Sequence, residues 1–276
     1  MREADLDLCA QCTATEGWST ETRTEFGGFF AHDPNGCFVA EASGQRVGIC
    51  VATHYGETAF IGELIVMHDW RGRGIGGQLL EHAISYLHGR GARSIFLDGV
   101  PAAVPLYERV GFRKVCRSLR FVGALAGNSH PQVRAMRAED LPAVARLDRR
   151  AFGDDRSFFL KRRLALYPEL SRALETDGRL DGFILGRRGR DWVAAGPWVV
   201  GFEAQHPEWL LESLATETGG TTLGVGVLEM NIRAVGILRS SGLAERPECP
   251  WRMVLGTDGF AGASTQLYAV GSAAKG

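Results

Sequence analysis

The pattern of apolar and polar residues in the first 122 positions predicts a mixed α/β fold. Between residues 74 and 88 apolar side chains recur at helical spacing, which predicts an amphipathic helix. Shorter helices are predicted over 2–16 and 102–109. Apolar runs bounded by turn residues predict a meander of strands over 37–42, 47–52, 59–67, 94–97 and 112–122.

The same order of elements starts again in the second half of the chain. Residues 123–132 are rich in Gly, Ala, Asn and Ser, which predicts a linker. Beyond it, Arg137-Ala138-Glu139-Asp140-Leu141 echoes Arg2-Glu3-Ala4-Asp5-Leu6. At a constant offset of 131 residues, Leu210-Leu211-Glu212 falls on Leu79-Leu80-Glu81. We therefore predict an internal duplication, with domains at 1–122 and 133–258 and a Gly/Ala-rich tail at 259–276 that holds at most one strand.

Composition excludes several classes of protein. The net charge is −1, whereas a protein that binds nucleic acid or an anionic membrane is expected to carry an excess of basic residues. No apolar run reaches the roughly 18 residues of a transmembrane helix, and the acidic N-terminal residues do not resemble a signal peptide. We expect a cytoplasmic protein that binds neither nucleic acid nor membrane. The six cysteines, including the pair Cys9 and Cys12, lack the partners of a metal or redox site and are expected to be reduced packing residues.

The densest glycine cluster is Arg71-Gly72-Arg73-Gly74-Ile75-Gly76-Gly77, which precedes the long helix. Because a helix N-terminus presents unpaired N–H groups, such a loop is typical of phosphate binding. One interpretation is the dinucleotide fingerprint, with Asp98 as the ribose-binding acid. However, that fold begins at the strand before its glycines, whereas here about 60 residues of other elements come first.

The alternative interpretation uses Arg71, Gly74 and Gly76 as R-x-x-G-x-G. Together with Glu63-Leu64-Ile65-Val66 before the loop and Pro105-Leu106-Tyr107-Glu108-Arg109-Val110-Gly111-Phe112 after it, this segment resembles the GNAT superfamily of acetyl-CoA-dependent N-acyltransferases. The echo in the second half makes the chain similar to a tandem two-GNAT protein. The resemblance implies two domains of α/β (α+β, mixed-sheet) class, each with a mostly antiparallel central sheet flanked by helices.

The resemblance also assigns roles by position. Backbone groups of Leu64, Ile65 and Val66 would pair with the pantetheine arm of acetyl-CoA. The pyrophosphate would lie on the N–H groups of Arg71, Gly72, Arg73, Gly74, Ile75, Gly76 and Gly77. Tyr107 takes the position of the general acid, and a phenol can protonate a departing thiolate. No metal is implied.

The acceptor side is less strongly marked. An alkylammonium must lose a proton before it can attack, which at pH 7 costs about 4.6 kcal/mol. Two carboxylates could relay that proton, Glu63 before the glycine loop and Asp98 at the end of the next strand. Trp18 follows the first helix, in a loop that lines the acceptor pocket in many members of the family.

The sequence departs from the family pattern at several points. Val100 stands where many members carry an asparagine, and Met1 begins where the family's first helix begins. In the second copy Glu203, Gln205 and Pro207 replace the glycines, and Leu238 replaces Tyr107. Because proline lacks an N–H and glutamate repels phosphate, we predict that this second domain is inactive.

These observations predict an N-acetyltransferase that uses acetyl-CoA as co-substrate. The acceptor would be a primary amine of a small molecule, which attacks directly and forms a tetrahedral intermediate. Two other functions remain open, a non-catalytic acyl-CoA-binding module and a nicotinamide-dependent oxidoreductase. We expect a monomer or a homodimer.

Overall fold

The structure, a computed structural model, describes residues 1–257 and 264–276. The first half begins with two helices and continues as strands and helices in alternation. Its elements are α1 (Leu6–Thr15), α2 (Arg23–His32), β1 (Cys37–Ala42), β2 (Gln45–His54), β3 (Thr58–Val66), α3 (Ile75–Gly89), β4 (Ser94–Gly99), α4 (Val104–Arg109) and β5 (Arg113–Gly123).

The second half repeats this order after a short additional strand. Its elements are β6 (Val133–Ala135), α5 (Leu141–Phe152), α6 (Ser157–Leu166), β7 (Ser171–Thr176), β8 (Arg179–Arg188), β9 (Val193–Val200), α7 (Glu208–Ala215), β10 (Leu223–Leu228), α8 (Ile232–Ser240), β11 (Ala244–Glu245), β12 (Trp251–Gly256) and β13 (Leu267–Ala269). Both halves thus place two helices before a three-stranded meander. Sequence periodicity missed α2, whose Gly27 and Gly28 weaken the helical pattern.

The thirteen strands of the described residues belong to one sheet, in the order β1-β2-β3-β4-β12-β5-β10-β9-β8-β7-β6. Strand β11 also pairs with β5, and β13 with β9. Neighbouring strands are antiparallel except at two places, β3 beside β4 and β9 beside β10. The chain therefore has the mixed, mostly antiparallel sheet expected of two tandem GNAT-like domains, and not the parallel sheet that a dinucleotide-binding fold requires.

The two halves exchange strands at the centre of the sheet. Strand β12, from the second half, lies between β4 and β5 of the first, with Arg252 opposite Asp98 and Trp251 opposite Arg117. From Ser118 to Gly123, strand β5 in turn pairs with β10 of the second half. Each half is therefore completed by a strand from the other.

The core follows this exchange. Leu80 and Leu87 on the apolar face of α3 are fully buried against the first half of the sheet. In the second half Trp198 and Leu210 are equally buried. A third, aromatic cluster joins the halves: Phe60 stacks on Phe96 and on Phe152 of α5, with ring centroids 5.5 and 5.9 Å apart.

The six cysteines are free thiols, and all of them are buried. Burial raises the pKa of Cys9 and Cys37 to about 12, so their thiols stay protonated at neutral pH. Within residues 1–257 and 264–276, no cluster of His, Cys, Asp and Glu has the size needed to hold a metal ion. No helix in the same residues is long and apolar enough to cross a membrane.

Candidate active site

A cavity of about 1460 Å³ opens where β3 and β4 diverge. The two strands pair in parallel only from Thr58 to Phe60, opposite Ser94 to Phe96. Beyond that point β3 remains paired with β2 on its other edge, so its edge toward β4 lines the cavity through residues 61–66. Residues 97 and 98 of β4 line the opposite side.

The glycine loop forms one end of this cavity. Gly72 and Gly74 adopt φ values of 76° and 80°, which favour glycine, and Gly74 is the residue from which α3 begins. A Cβ at either position would lie more than 4 Å from every atom of residues 1–257 and 264–276, so conformation rather than space requires glycine there. The first N–H groups of the 15-residue helix α3 therefore face an open approach, which fits a phosphate group.

The two arginines of the loop differ in position. Arg71 lines the cavity, donates from Nε to the carbonyl of Val66 at 2.9 Å, and pairs with Glu16. Arg73 donates to the carbonyl of Asp69 at 3.0 Å, and its guanidinium lies 4.7 Å from the ring of Trp70. Of the two, Arg71 contributes to the cavity wall.

Glu63 is displaced by an irregularity in β3. The register with β2 shifts between Ile49 and Val51, and Glu63 takes a φ of 52°, an uncommon value for a residue with a side chain. Its side chain is buried and lines the cavity next to Leu64, Ile65 and Val66. A simple alternation along β3 would not have placed the carboxyl group there.

Tyr107 lies on α4 across the cavity from β3. Its ring packs edge-on to Phe112, with centroids 6.1 Å apart, and directly over Gly99, where a Cβ would come within 2.8 Å of the ring. Burial raises the pKa of the phenol well above its ordinary value, so the hydroxyl keeps its proton across the physiological range. This is the state that a general acid needs before it acts.

Asp98 has a different environment. Its completely buried carboxylate accepts hydrogen bonds from Arg252 at 2.5 Å, from Arg120 at 2.8 Å and from the Ser118 hydroxyl at 2.7 Å. Burial alone would raise the pKa of Asp98, but Arg252 and Arg120 outweigh it and hold the pKa at about 2. These contacts argue against Asp98 as a base, and also against the ribose-binding role, because they join β4, β5 and β12 instead.

A cluster of buried charged side chains adjoins Glu63. Glu25 on α2 accepts from Arg187 at 2.8 Å, from Arg163 at 3.2 Å and from the Lys275 ammonium at 2.6 Å. Arg187 also donates to both oxygens of Glu21, at 2.5 and 3.1 Å. We call Glu21, Glu25, Glu63, Arg163, Arg187 and Lys275 the ion cluster.

The ion cluster sets the proton affinity of its carboxyl groups in opposite directions. Burial would raise the pKa of Glu25, but Lys275, Arg163 and Arg187 hold it well below the ordinary value. Burial raises the pKa of Glu63 well above the ordinary value, Glu21 adds to this, and Lys275 and Arg187 offset it in part. Glu63 is therefore a cavity carboxyl group whose proton affinity is raised, as a base for ammonium chemistry requires.

Both halves contribute to another wall of the cavity. Trp18, which the sequence analysis predicts at the acceptor pocket, lines the cavity together with Trp192, Gly224 and Arg187 of the second half. The tail contributes residues 271–273, and a Cβ on Gly62 would lie 2.1 Å from that of Ala274. Sequence reasoning missed Glu21, Arg187 and the tail, because nothing in their local pattern separates them from ordinary charged or flexible segments.

In the second copy the corresponding strands, β9 and β10, also diverge, but the gap between them is occupied by the tail of the chain. Strands β9 and β10 pair in parallel at 193–195 and 223–225, as β3 and β4 do. Beyond these pairs, β13 lies against β9, and the N–H of Val270 donates to the carbonyl of Gly226 at 2.9 Å. The residue before α7 is Pro207, which has no N–H, Leu238 is buried, and Asn231 caps α8 through a 3.0 Å bond from Ala234 N–H.

Comparison with known proteins agrees with this geometry. The family model described as acetyltransferase (GNAT) family matches residues 5–112, and a second model, acetyltransferase (GNAT) domain, matches residues 144–269. The chain belongs to the GNAT acetyltransferase family. It is a tandem member of that family, and an acyltransferase. Enzymes of this family use acetyl-CoA, and the open glycine loop beside the free edge of β3 fits that group.

Curated relatives each match less than half of the chain. The chain is 38% identical over 92 residues to an uncharacterized N-acetyltransferase of Methanocaldococcus jannaschii, which is 30% of this chain and 41% of that protein. It is 30% identical over 102 residues to N-alpha-acetyltransferase 30 of Schizosaccharomyces pombe, covering 34% of this chain and 68% of that protein. The chain thus spans less than half the length of the archaeal relative.

Solved structures match both halves at low identity, and so show the fold alone. A GCN5-related N-acetyltransferase from Sphaerobacter thermophilus gives a TM-score of 0.66 at 18% identity, over 93% of this chain and 94% of that one. A tandem GNAT protein from the clavulanic acid biosynthesis pathway gives 0.59 at 15% identity, over 91% and 93%.

Proposed function

We propose that the first half of this GNAT acyltransferase binds acetyl-CoA and transfers its acetyl group to the primary amine of a small molecule. The observation that carries the proposal is that one cavity is lined by the glycine loop, by the free edge of β3, and by Glu63 and Tyr107. Acetyl-CoA supplies an activated thioester when bound. The following steps concern what the residues of this chain do.

The glycine loop and β3 hold and orient the cofactor. The first N–H groups of α3 and the side chain of Arg71 donate to the pyrophosphate, since both lie at the open end of the cavity. The backbone N–H and C=O groups of Leu64, Ile65 and Val66 form hydrogen bonds with the pantetheine arm. They do so on the edge of β3 that faces β4, where the described residues place no paired strand beyond Phe60. The arm would thus be bonded as an additional strand.

Glu63 accepts the proton of the acceptor amine, directly or through a water molecule. Its raised pKa narrows the gap to an alkylammonium, whose ordinary pKa is about 10.4. Tyr107 donates its proton to the departing thiolate, since its phenol remains protonated at neutral pH. Trp18, Trp192 and residues 271–273 enclose the acceptor side, which favours a small molecule over a large surface.

The proposal is tested by measuring release of CoA thiol from acetyl-CoA over a panel of primary amines. We expect turnover with at least one small amine in the wild-type protein. In Glu63→Gln we expect kcat to fall about 100-fold or more, with acetyl-CoA affinity nearly unchanged. Because the base must be ionised, wild-type kcat/KM should rise with pH through the raised pKa of Glu63, and Glu63→Gln should lose that rise.

Two outcomes would contradict this function. Tight acetyl-CoA binding with no thiol release from any amine would favour a non-catalytic binding module. An unchanged pH profile in Glu63→Gln would remove Glu63 as the base. Glu57→Gln is the matched control, because Glu57 is an exposed carboxylate of the neighbouring turn that pairs only loosely with Arg93 at 3.2 Å.

A further inference from the structure

The loop between α1 and α2 lies on the cavity and is fixed at its base by its own half. Residues 16–21 of this loop line the cavity. The carbonyl of Thr13 on α1 accepts from the Trp18 N–H at 2.9 Å, and the Thr13 hydroxyl donates to the Glu21 carbonyl at 2.7 Å. These two bonds hold the base of the loop, and residues 19 and 20 between them form its tip.

The tip is bonded to the second half of the chain. Ser19 meets the turn of residues 189–192, which joins β8 to β9. Its hydroxyl accepts from the Asp191 N–H at 2.9 Å and donates to the Asp191 carboxylate at 2.7 Å. Its carbonyl accepts from the Arg190 N–H at 2.9 Å. Because Ser19 is only 6% exposed, its polar groups depend on these partners rather than on water.

Two further side chains of the second half hold the residues on either side of this serine. The Arg190 guanidinium donates to the Trp18 carbonyl at 2.7 Å, and Arg187 donates to the Thr20 hydroxyl at 3.0 Å. Three consecutive loop residues are therefore bonded to the second half. We call these contacts the loop clamp, and they join residues 18–20 to residues 187–191.

Gly189 allows the two segments to approach this closely. A Cβ at this position would lie 2.8 Å from the carbonyl oxygen of Ser19 and 2.9 Å from Cγ2 of Thr20, and real Cβ atoms essentially never come so near. With any side chain there, the turn or the loop has to move. The φ of Gly189 lies outside the left-handed region, so space rather than conformation requires glycine here.

The loop clamp closes one wall of the cavity. Trp18 on the loop and Trp192 at the end of the turn both line the cavity. The bonds between their neighbours, Ser19 and Asp191, join the two tryptophans into one continuous wall. Surface loops that lack such bonds open readily. A bulky acceptor can therefore enter on this side only if the loop moves outward, which breaks the clamp.

We propose that the loop clamp limits the size of the acceptor, because the second half holds the α1–α2 loop against the cavity and so restricts transfer to small primary amines. Ser19, Gly189, Arg190 and Asp191 act as positioning residues, since they set the place of Trp18 without taking part in the chemistry. The proposal rests on the acetyl transfer proposed above and deepens it by naming the residues that impose the size limit. It also gives the second half a role at the site of the first.

The experiment measures kcat/KM for acceptors of increasing bulk. The best small amine of the thiol-release panel is compared with 1-naphthylmethylamine and with the N-terminal amine of a hexapeptide. We expect wild-type protein to prefer the small amine over the hexapeptide by at least 10-fold. In Asp191→Ala and in Gly189→Ala this preference should fall about 10-fold. The KM of the small amine should rise, while kcat and acetyl-CoA affinity stay nearly unchanged, because only the wall has moved.

A double variant tests whether the bond itself is responsible. Ser19→Ala removes the hydroxyl that both donates to and accepts from Asp191, so Asp191→Ala should change the preference no further in that background. Gly236→Ala is the matched control for Gly189→Ala. A Cβ on Gly236 in α8 would lie more than 4 Å from every atom considered among residues 1–257 and 264–276, so this variant should keep the wild-type preference.

Hydrogen exchange tests the loop clamp without relying on activity. The amides of Arg190 and Asp191 both donate to Ser19, so they should exchange slowly in wild-type protein. In Ser19→Ala the Asp191 amide loses its acceptor and should exchange at least 10-fold faster. The melting temperature of each variant shows that it is folded, and Asp191→Ala should be close to wild type because Asp191 is exposed.

The outcomes separate the two proposals. Equal use of the hexapeptide and the small amine by wild-type protein, or a preference that is unchanged in every variant, would overturn the size limit and leave acetyl transfer standing. Fast exchange of both amides in wild-type protein would overturn the loop clamp. If no amine releases thiol, the proposed function fails and the size limit fails with it, whatever the exchange rates. Should Gly189→Ala fail to fold, the Ser19 and Asp191 variants still decide the question.

Discussion

Tyr107 combines two properties at one residue, burial and a position on the cavity. Its ring is packed over Gly99, and its phenol is deprived of the water that would stabilise a phenolate. A buried phenol is a weak acid in the free protein, but it is protonated at every physiological pH. Its proton is therefore still in place when a thiolate forms beside it.

We expect Tyr107→Phe to lower kcat about 100-fold or more while leaving acetyl-CoA affinity nearly unchanged, since only the hydroxyl is removed. Single-turnover and steady-state thiol release would measure kcat, and calorimetric titration would measure affinity. Tyr86→Phe is the control, because Tyr86 donates instead to Asp33 at 2.5 Å. Wild-type turnover in Tyr107→Phe would remove Tyr107 as the acid.

Individual residues also show what could be predicted from the sequence. Tyr107 was predicted as the acid because it takes that position in the family pattern, and Glu63 was predicted as a base because it is a carboxylate just before the glycine loop. Asp98 looked similar to Glu63 as a carboxylate at a strand end, and only the contacts of Arg120 and Arg252 separate the two. Arg252 is more than 150 residues away in sequence, so no local pattern could have shown that it occupies Asp98.

At the scale of elements, the turn from β3 into α3 combines two requirements, a left-handed backbone and an open helix N-terminus. Gly74 meets the first at the position from which α3 starts. Any side chain there would be strained, and a negative one would also occupy the phosphate position.

We therefore expect Gly74→Glu to weaken acetyl-CoA binding by at least 100-fold, and to lower the melting temperature only by what the strained backbone at this one position costs. Gly89→Glu is the matched control, because Gly89 ends the same helix in open space and lies away from the cavity. Calorimetric titration of both variants makes the comparison. Equal affinity in Gly74→Glu and wild type would exclude this loop as the phosphate site.

The tail strand β13 makes a further prediction about elements. It occupies in the second copy the divergence that β3 and β4 leave open in the first. We expect one equivalent of acetyl-CoA to bind per chain, with an affinity that is at least 100-fold weaker in Gly74→Glu. Binding of two equivalents, measured by calorimetry or equilibrium dialysis, would show that β13 leaves room for a second cofactor.

The meander, the long helix α3 and the duplication were all visible in the sequence, because each depends on local periodicity or on repetition. The exchange of β5 and β12 was not. The local sequence pattern of a strand is the same whether it pairs within its own half or with the other half. Which strands pair over such a distance along the chain depends on the packing of the whole sheet. The linker at 123–132 divides the sequence, but the sheet continues across it.

At the scale of the whole molecule, the exchange makes the two halves one sheet. Asp98 of β4, Arg120 of β5 and Arg252 of β12 form its central ion pairs, fully removed from solvent at Asp98 and Arg252. Removing one member of such a set leaves an unpaired buried charge.

We expect Asp98→Asn to reduce the free energy of unfolding by about 3 to 5 kcal/mol. Both halves should still unfold in one thermal transition, at a lower melting temperature than in the wild-type protein. Because the folded pKa of Asp98 is about 2, below its ordinary value of 3.8, the ion pair stabilises the protein above about pH 4. This stabilisation is lost as the pH falls toward 2, so the difference between variant and wild type should shrink there.

Chemical denaturation monitored at several pH values would measure the effect. Asp69→Asn is the control, since Asp69 is almost completely exposed and its substitution should be nearly neutral. Two separate transitions in wild-type protein would contradict the single cooperative unit described here.

The position of the tail also has a consequence for biosynthesis. All the backbone groups assigned to acetyl-CoA lie at or before residue 77, so they are synthesised early. Residues 271–273, which form part of the cavity wall, are synthesised almost 200 residues later. Lys275, which contacts Glu25 on the second helix, follows them. The first half of a growing chain therefore cannot complete its sheet and its cavity until β12 and the tail have been synthesised. We expect acyl transfer to begin only after residue 275 has been added and the tail has packed against the first half.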